Sequence, residues 1–291
     1  MKKGTVFLKG GFGNQLFQLA FANYLSCNDY IVNLNTDLFK KNNQDTPRKL
    51  VLPIEYFDFK EQRKLSKYIF NLNHRLESSE LTRKTNLNYF FKNYKFTKEK
   101  NFNIEKSSKL TFFNGYWKEV KYAEFSKEFI RESLKKNDSI RESFDIENNK
   151  VLIHVRRTDF IANNWHLNEN FYKESLELLR DKVGEFQFDV FTDDSDWVKS
   201  KKIFNEAQTI YYQNYLKDNN EQKDNISDTL STFSKMLQYK HFIVGNSSFA
   251  FWPAFLKDSQ DSISIVPTPW FRDNYNHPVL KKDSWLTVKN L

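Results

Sequence analysis

The chain reads as an α/β protein built on parallel sheets, and three features of its sequence predict this. Val151, Leu152 and Ile153 form a short apolar, β-branched run of the kind that fills a strand covered on both faces. From there to Val266 such runs alternate with stretches of helical length, the pattern of strands joined by crossover helices. Near the N-terminus the strand-like TVFLK of residues 5–9 passes through Gly10, Gly11 and Gly13 into an uncharged apolar stretch, a second strand–turn–helix unit.

In order, a helix is expected over 14–26, buried because Leu16, Phe17, Leu19, Ala20 and Tyr24 leave almost no polar face. A strand follows at 30–34. Residues 39–108 show no sustained periodicity and read as short helices and loops; within them YFFKNYKFTK at 89–98 interleaves rings and lysines. That segment fits a locally packed, solvated element better than a surface for nucleic acid or membrane. Within LTFFNGYW at 110–117 a strand is expected to end at Gly115, followed by a helix over 122–136, then a polar stretch at 138–150 that marks a domain boundary, dividing the chain into 1–140 and 141–291. Beyond the strand at 151 come a helix at 169–182, a strand at 186–192, a helix at 197–205, a strand at 209–212, a helix at 228–239 with Leu230, Phe233, Met236 and Leu237 on one face, a strand at 241–244, a helix at 247–256 and a strand at 262–266.

Composition narrows the function classes. A net charge of +8 attracts nucleic acid, anionic lipid or small phosphorylated ligands. Lysines are scattered rather than blocked, which puts small phosphorylated ligands first. Cys27 is the only cysteine, so an intrachain disulfide and an all-cysteine metal cage are excluded and a reducing compartment fits. Lys9, Asn14, Gln15 and Gln18 interrupt the one stretch that resembles a leader, and neither a cleaved signal nor a membrane span is expected.

Chemistry concentrates where strands should end. HVRRTD puts Arg156 and Arg157 at a strand mouth, where a guanidinium fork matches phosphate oxygens; the plainer alternative is a salt bridge of Arg157 with Asp159 or a neighbouring carboxylate. FTDDSD supplies adjacent carboxylates, Asp193 and Asp194, able to ligate a metal or accept from a base or ribose, with Asp196 as the expected cap of the next helix. Gly245-Asn246-Ser247-Ser248 closes a strand and opens a helix, offering hydroxyls and free amides to an anion, or simply a serine cap. At the N-terminal glycine turn, Asn14 and Gln15 are suited to a hydroxyl-rich ligand or to capping.

The blocks GGFGNQLFQLAFA, NGYWKEVKY, HVRRTDF, FTDDSDW, DTLSTFSKMLQYKHFIVGNSSFAFWPAFL and VPTPWF, in that order, resemble the bacterial α-1,2-fucosyltransferases, an inverting, family 11-like group of glycosyltransferases. The resemblance runs from about Thr5 to Trp285. It implies a GT-B fold, two facing Rossmann-like domains with parallel sheets, the N-terminal one taking the acceptor and the C-terminal one GDP-fucose. The implied activity is transfer of L-fucose from GDP-β-L-fucose to the 2-hydroxyl of a galactoside in a surface glycan. No metal or other cofactor and no nucleic acid are implied, and the acceptor is expected to be lipid-linked or an oligosaccharide, met by a cytoplasmic enzyme at the inner face of the membrane. By the same resemblance Arg156 holds the β-phosphate, Arg157 with Asp159 braces it, and His154 lies under the nucleotide. Ser247 and Ser248, with the flanking Asn246 and Phe249, bind the diphosphate, Asn14 approaches the fucose, and Asp193 or Asp194 contacts guanosine or positions its own loop. Asp159 is a weak candidate for the base, which stays unassigned.

Phe12, Thr158, Phe251 and Pro253 depart from the commoner bacterial pattern, so donor identity is better supported than linkage. Alternatives are a fucosyltransferase with another linkage or acceptor and a non-catalytic glycan- or nucleic-acid-binding protein.

Overall fold

The computed structural model describes residues 1–39, 48–62, 95–97, 109–212, 226–272 and 278–290. The segment read at 89–98 lies outside them except for the backbone of 95–97. Two compact units divide the described chain, Met1–Ser133 and Leu134–Leu291.

In the first unit, β1 (Lys2–Phe7), β2 (Tyr30–Asn35), β3 (Lys60–Glu61), β4 (Lys95–Thr97) and β5 (Leu110–Phe113) form a sheet in the order β3-β2-β1-β5-β4, with every pairing parallel. Helix α1 (Phe12–Ser26) crosses from β1 to β2, buried along most of its length as its composition requires. Phe21 of α1 stacks on Trp117 with ring centroids 3.9 Å apart, and meets Phe113 edge-on at 5.3 Å. The strand expected to end at Gly115 stops at Phe113, because the chain turns away through Asn114 and Gly115, and Trp117 beyond takes a positive φ of 54°. The single helix expected over 122–136 is two, α2 (Val120–Phe125) and α3 (Lys127–Lys135). At their joint the Ser126 hydroxyl donates to the Ala20 carbonyl at 2.8 Å and accepts from Asn23 Nδ2 at 3.0 Å, tying the break to α1.

The division falls within α3 rather than at residue 140. Helix α4 (Asp138–Asp145), capped by the Asn137 side chain, is bonded into the second unit: Lys257 Nζ donates to the Phe144 carbonyl at 3.1 Å.

The second unit carries β6 (Asn148–Val155), α5 (Thr158–Ala162), α6 (Glu169–Val183), β7 (Phe188–Thr192), α7 (Ser195–Lys199), β8 (Thr209–Tyr212), α8 (Ile226–Met236), β9 (Tyr239–Ile243), α9 (Ser248–Leu256), β10 (Ser264–Thr268) and β11 (Leu286–Lys289). Its sheet runs β11-β10-β9-β6-β7-β8, again all parallel. The α/β class with two parallel sheets is therefore as expected. Val151, Ile153 and Val155 of β6 pack with Phe171, Tyr172, Leu176 and Leu179 of α6, each fully or almost fully buried. Each such side chain contributes about 1.5–3 kcal/mol over leaving it in water.

Boundaries shift where capping decides them. The helix expected over 197–205 is the short α7 and a 3₁₀ turn at Lys202–Phe204, because Asp194, not Asp196, accepts from the Trp197 amide at 3.0 Å and starts the helix earlier. β9 starts at Tyr239 and β10 runs to Thr268.

One buried polar contact sits inside this sheet. Asp189 of β7, 1% exposed, accepts from the Tyr239 hydroxyl of β9 at 2.6 Å and faces Lys150 Nζ of β6 at 3.4 Å, so it joins three strands. Burial and this carboxylate raise the Tyr239 phenol far above its ordinary value, keeping it a donor. Tyr239→Phe removes a hydrogen bond to a charged acceptor and is expected to lower stability by about 1.5–3 kcal/mol in chemical denaturation, with the slope of the transition unchanged.

Candidate active site

β6 leads outward to β7 and β8, whereas β9, β10 and β11 lie on its other side, so the strand order reverses between β6 and β9. At such a reversal the connections leave the sheet in opposite directions and open a crevice at the carboxyl ends of the strands. Arg156 follows the end of β6, and Gly245-Asn246-Ser247 follows β9, which is held in register by Ile153 against Ile243. A Cβ at Gly245 would stand 2.8 Å from the His154 carbonyl oxygen and 3.1 Å from its Nδ1, so only glycine lets the two strand ends approach this closely.

Arg156 is 8% exposed and held on two sides. Its Nη2 meets Asp159 Oδ1 at 2.8 Å, and its Nη1 meets Asp193 Oδ2 at 3.1 Å. Asp193, itself buried, also accepts from the Arg157 amide at 2.7 Å and from the Thr158 hydroxyl at 2.6 Å. Arg157 pairs instead with Asp194, Nε to Oδ2 at 3.1 Å, and its guanidinium lies 4.1 Å from the Trp197 ring centroid. The expected partnership of Arg157 with Asp159 is thus replaced by two separate pairs. The i,i+3 spacing on the first turn of α5 aims Asp159 at Arg156, and the stacking of Arg157 on Trp197 turns it towards α7. Asp193 and Asp194 are thus bonded to Arg156, Arg157 and Thr158.

The β9 end is equally ordered. Ser247 caps α9, its hydroxyl accepting from the Phe249 amide at 3.2 Å, and Ser248 is the first helical residue. The positive end of that helix therefore opens at the crevice. Asn246, 1% exposed, donates through Nδ2 to the carbonyls of Trp165 at 2.6 Å and Trp270 at 3.1 Å, leaving its Oδ1 buried without a hydrogen-bond partner.

A cavity of about 200 Å³ opens beside these residues. His154, Arg156 and Asp193 line one side, Phe191 and Tyr211 another, and Asp228, Ser231, Thr232 and Lys235 of α8 a third, with Phe249 beside them. The α8 residues escaped the sequence reading, which followed that helix's apolar face. The signal was present, because 228, 231, 232 and 235 fall at i, i+3, i+4 and i+7 and form a polar stripe on the other face. Two further polar side chains, Arg272 and His166, lie outside the cavity lining. Arg272 donates from Nε to Asn290 Oδ1 at 3.1 Å while its Nη2 is buried without a partner, and burial followed by Arg157 and Arg272 holds the His166 imidazole below its ordinary value.

Asn14 stands on the first unit. The helix there begins at Phe12 and Gly11 gives no side-chain cap, so Asn14 is not the cap; its amide lies over Gly10, whose φ of 76° a residue with a side chain rarely adopts. Gln15 bonds within the unit, donating to the Gly10 and Lys49 carbonyls and accepting from the Val51 amide. Among the described residues no three His, Cys, Asp or Glu side chains group as metal ligands, and no helix is long and apolar enough to cross a membrane.

Comparison with known proteins identifies the family of the chain. The model of glycosyl transferase family 11 matches residues 2–289, and the chain belongs to that family. An α-1,2-colitosyltransferase of Escherichia coli is 29% identical over 61% of this chain and 62% of its own length. The O-antigen biosynthesis glycosyltransferase WbnK of the same species is 30% identical over 48% of this chain, and the match covers 45% of WbnK. The matched stretches thus span less than two thirds of these relatives. Among solved structures, the α-1,6-fucosyltransferase NodZ soaked with GDP-fucose superposes with a TM-score of 0.44 at 11% identity, covering 88% of this chain and 92% of that one. The ADP-heptose heptosyltransferase II of E. coli gives 0.42 at 9% identity, covering 99% and 90%.

Two measurements probe the geometry. Gly245→Ala forces a methyl against a backbone oxygen and is expected to destabilise the fold by about 1–3 kcal/mol, read from the denaturation midpoint. His154 is the pH probe. Burial, then Arg156, lowers its pKa to about 3 from 6.5, so between those values the unfolded chain binds a proton that the native one refuses. Stability should rise with pH across that window and level off above it, and His154→Gln should remove up to about 1.4 kcal/mol per pH unit of the slope.

Proposed function

We propose that the chain is an inverting glycosyltransferase that moves L-fucose from GDP-β-L-fucose to the 2-hydroxyl of a galactoside during O-antigen-type glycan assembly. The observation that carries this is Arg156, braced by Asp159 and Asp193 at the crevice where α9 begins. Family membership supports sugar transfer as the reaction class.

In this account the diphosphate lies between Arg156 and the start of α9, with Ser247 and Ser248 donating to it. The nucleobase enters the cavity. There the carboxylate of Asp228, rather than Asp193 or Asp194, accepts from the ring N–H and amino group of guanine, a donor pair that adenine lacks. Lys235 and the helix dipole add the positive field that the three carboxylates around Arg156 and Arg157 offset.

The bond from the sugar C1 to the β-phosphate oxygen breaks with its electron pair passing to GDP, and a positively charged sugar develops. Donors already aimed at the departing diphosphate lower that barrier and need not reorganise when the charge appears. The acceptor hydroxyl attacks C1 from the opposite face, its oxygen forms the new glycosidic bond, and its proton passes to solvent water. Asp159 acts here as a brace, since a proton on it would break its pair with Arg156. The Arg156 guanidinium and the start of α9 take the role a divalent cation has elsewhere, so no metal enters the account. The enzyme would work on the cytoplasmic face of the membrane, where a net charge of +8 suits an anionic surface carrying a lipid-linked acceptor.

The test is nucleotide binding followed by transfer. GDP should raise the melting temperature with or without EDTA, and ADP should raise it much less. Arg156→Lys keeps a charge but loses the fork, and should lower kcat/KM on the order of a hundredfold, with linkage analysis reporting an α-1,2 product from wild type. No stabilisation by GDP, or an unchanged rate in the lysine variant, contradicts the proposal.

A further inference from the structure

On the other flank of Arg156 from the cavity lies a group of rings that the reaction so far leaves unused. Phe160 and Trp165 meet edge to face at 5.7 Å, Trp165 and Phe271 lie 4.9 Å apart at 32°, and Phe160 and Phe271 lie 6.1 Å apart. Phe160 and Trp165 are half-buried, so part of the cluster meets solvent.

Three features point to a ligand in contact with it. The Arg156 guanidinium is 5.6 Å from the Phe160 ring centroid, so a group attached to a phosphate on Arg156 begins next to this ring. The cluster is fixed in place. The Trp165 amide donates to the Phe160 carbonyl at 2.8 Å, closing the turn through Asn164 at a φ of 53°, and Asn246 holds the Trp165 and Trp270 carbonyls together. Asn246 immediately precedes the cap of α9, so the element assigned to the diphosphate and the rings share a bracket. Finally, the strand order β8-β7-β6-β9-β10 puts the cavity on the β7 and β8 side of Arg156 and Phe271 beyond the end of β10 on the other. A nucleotide sugar lying base, diphosphate, sugar along the carboxyl edge ends its sugar at the aromatic side.

We propose that Phe160, Trp165 and Phe271 form the subsite for the transferred sugar, and that they select a 6-deoxyhexose by receiving its C6 methyl on an apolar surface. This rests on the nucleotide-sugar function proposed above. Ring faces accept the C–H face and methyl of a deoxy sugar, whereas a C6 hydroxyl placed there loses its water without gaining a partner. Discrimination by such a surface has a ceiling, since an apolar pocket rejects an added hydroxyl only moderately.

GDP-L-fucose and GDP-L-galactose differ only in the C6 hydroxyl and isolate this contribution. Titration calorimetry of the intact chain with GDP, GDP-L-fucose and GDP-L-galactose needs no acceptor. Wild type is expected to favour the deoxy donor by roughly tenfold to a hundredfold. Trp165→Ala and, separately, the milder Phe160→Leu should bring that ratio close to one while leaving the affinity for GDP alone within about twofold, a readout that general damage to the fold would not spare. A ratio unchanged in both variants with GDP binding intact overturns the subsite. Failure of wild type to bind GDP is a different result, and overturns the nucleotide-sugar function on which the subsite depends.

Discussion

The site depends on a buried guanidinium held between two carboxylates. Burying an arginine to 8% exposure is costly unless close partners offset the lost hydration, and Asp159 and Asp193 supply them from different directions. Neither partner is placed by accident of the loop. Asp159 is set by the first turn of α5, three residues along, and Asp193 by the pairing of β6 with β7, which aligns Val155 with Thr192 and so delivers the next residue of each strand to the same level. Asp193 then bonds the Arg157 amide and the Thr158 hydroxyl, so one carboxylate fixes both the arginine and the turn that carries its second partner. Held by both carboxylates, the Arg156 guanidinium is fixed in one orientation, the preorganisation a departing diphosphate requires.

The two units use the same local device. In each, a central strand ends where the strand order reverses, and a glycine sits at the approach: Gly245 against His154 in the second unit, Gly10 under Asn14 in the first. In the first unit Lys9 Nζ reaches Asn114 Oδ1 at 2.9 Å, joining the residues that follow β1 and β5. A doubly wound strand order creates such places, because the crossover connections on either side of the reversal part there. The chain furnishes both with polar side chains.

Much of this was legible in the sequence because strand interiors and strand ends obey opposite rules. The VLI run at 151–153 has to be covered on both faces, so the charge in HVRRTD had to fall at its mouth, and the same logic located FTDD and GNSS. What escaped was decided across space. That Arg156 would take Asp159 while Arg157 turned to Asp194 depends on Trp197 lying under the second guanidinium, a contact 40 residues distant in the chain (197 − 157 = 40). Strand β11, LTVK, alternates and is short, and pairing with β10 rather than its own composition makes it a strand. The polar stripe of α8 and the rings around Trp165 were written in the spacing, but their meaning appears only once the cavity and Arg156 lie between them.

The central claim is that the two carboxylates aim Arg156 at a diphosphate. The most direct measurement is the affinity of GDP relative to GMP, by calorimetry, in wild type and in Asp193→Asn, which keeps the side chain's shape and removes its charge. Loss of the brace should shrink the preference for GDP by roughly tenfold with GMP affinity little changed, because the monophosphate does not reach the aimed fork. An equal loss for both nucleotides, or a preference that survives intact, would contradict the account.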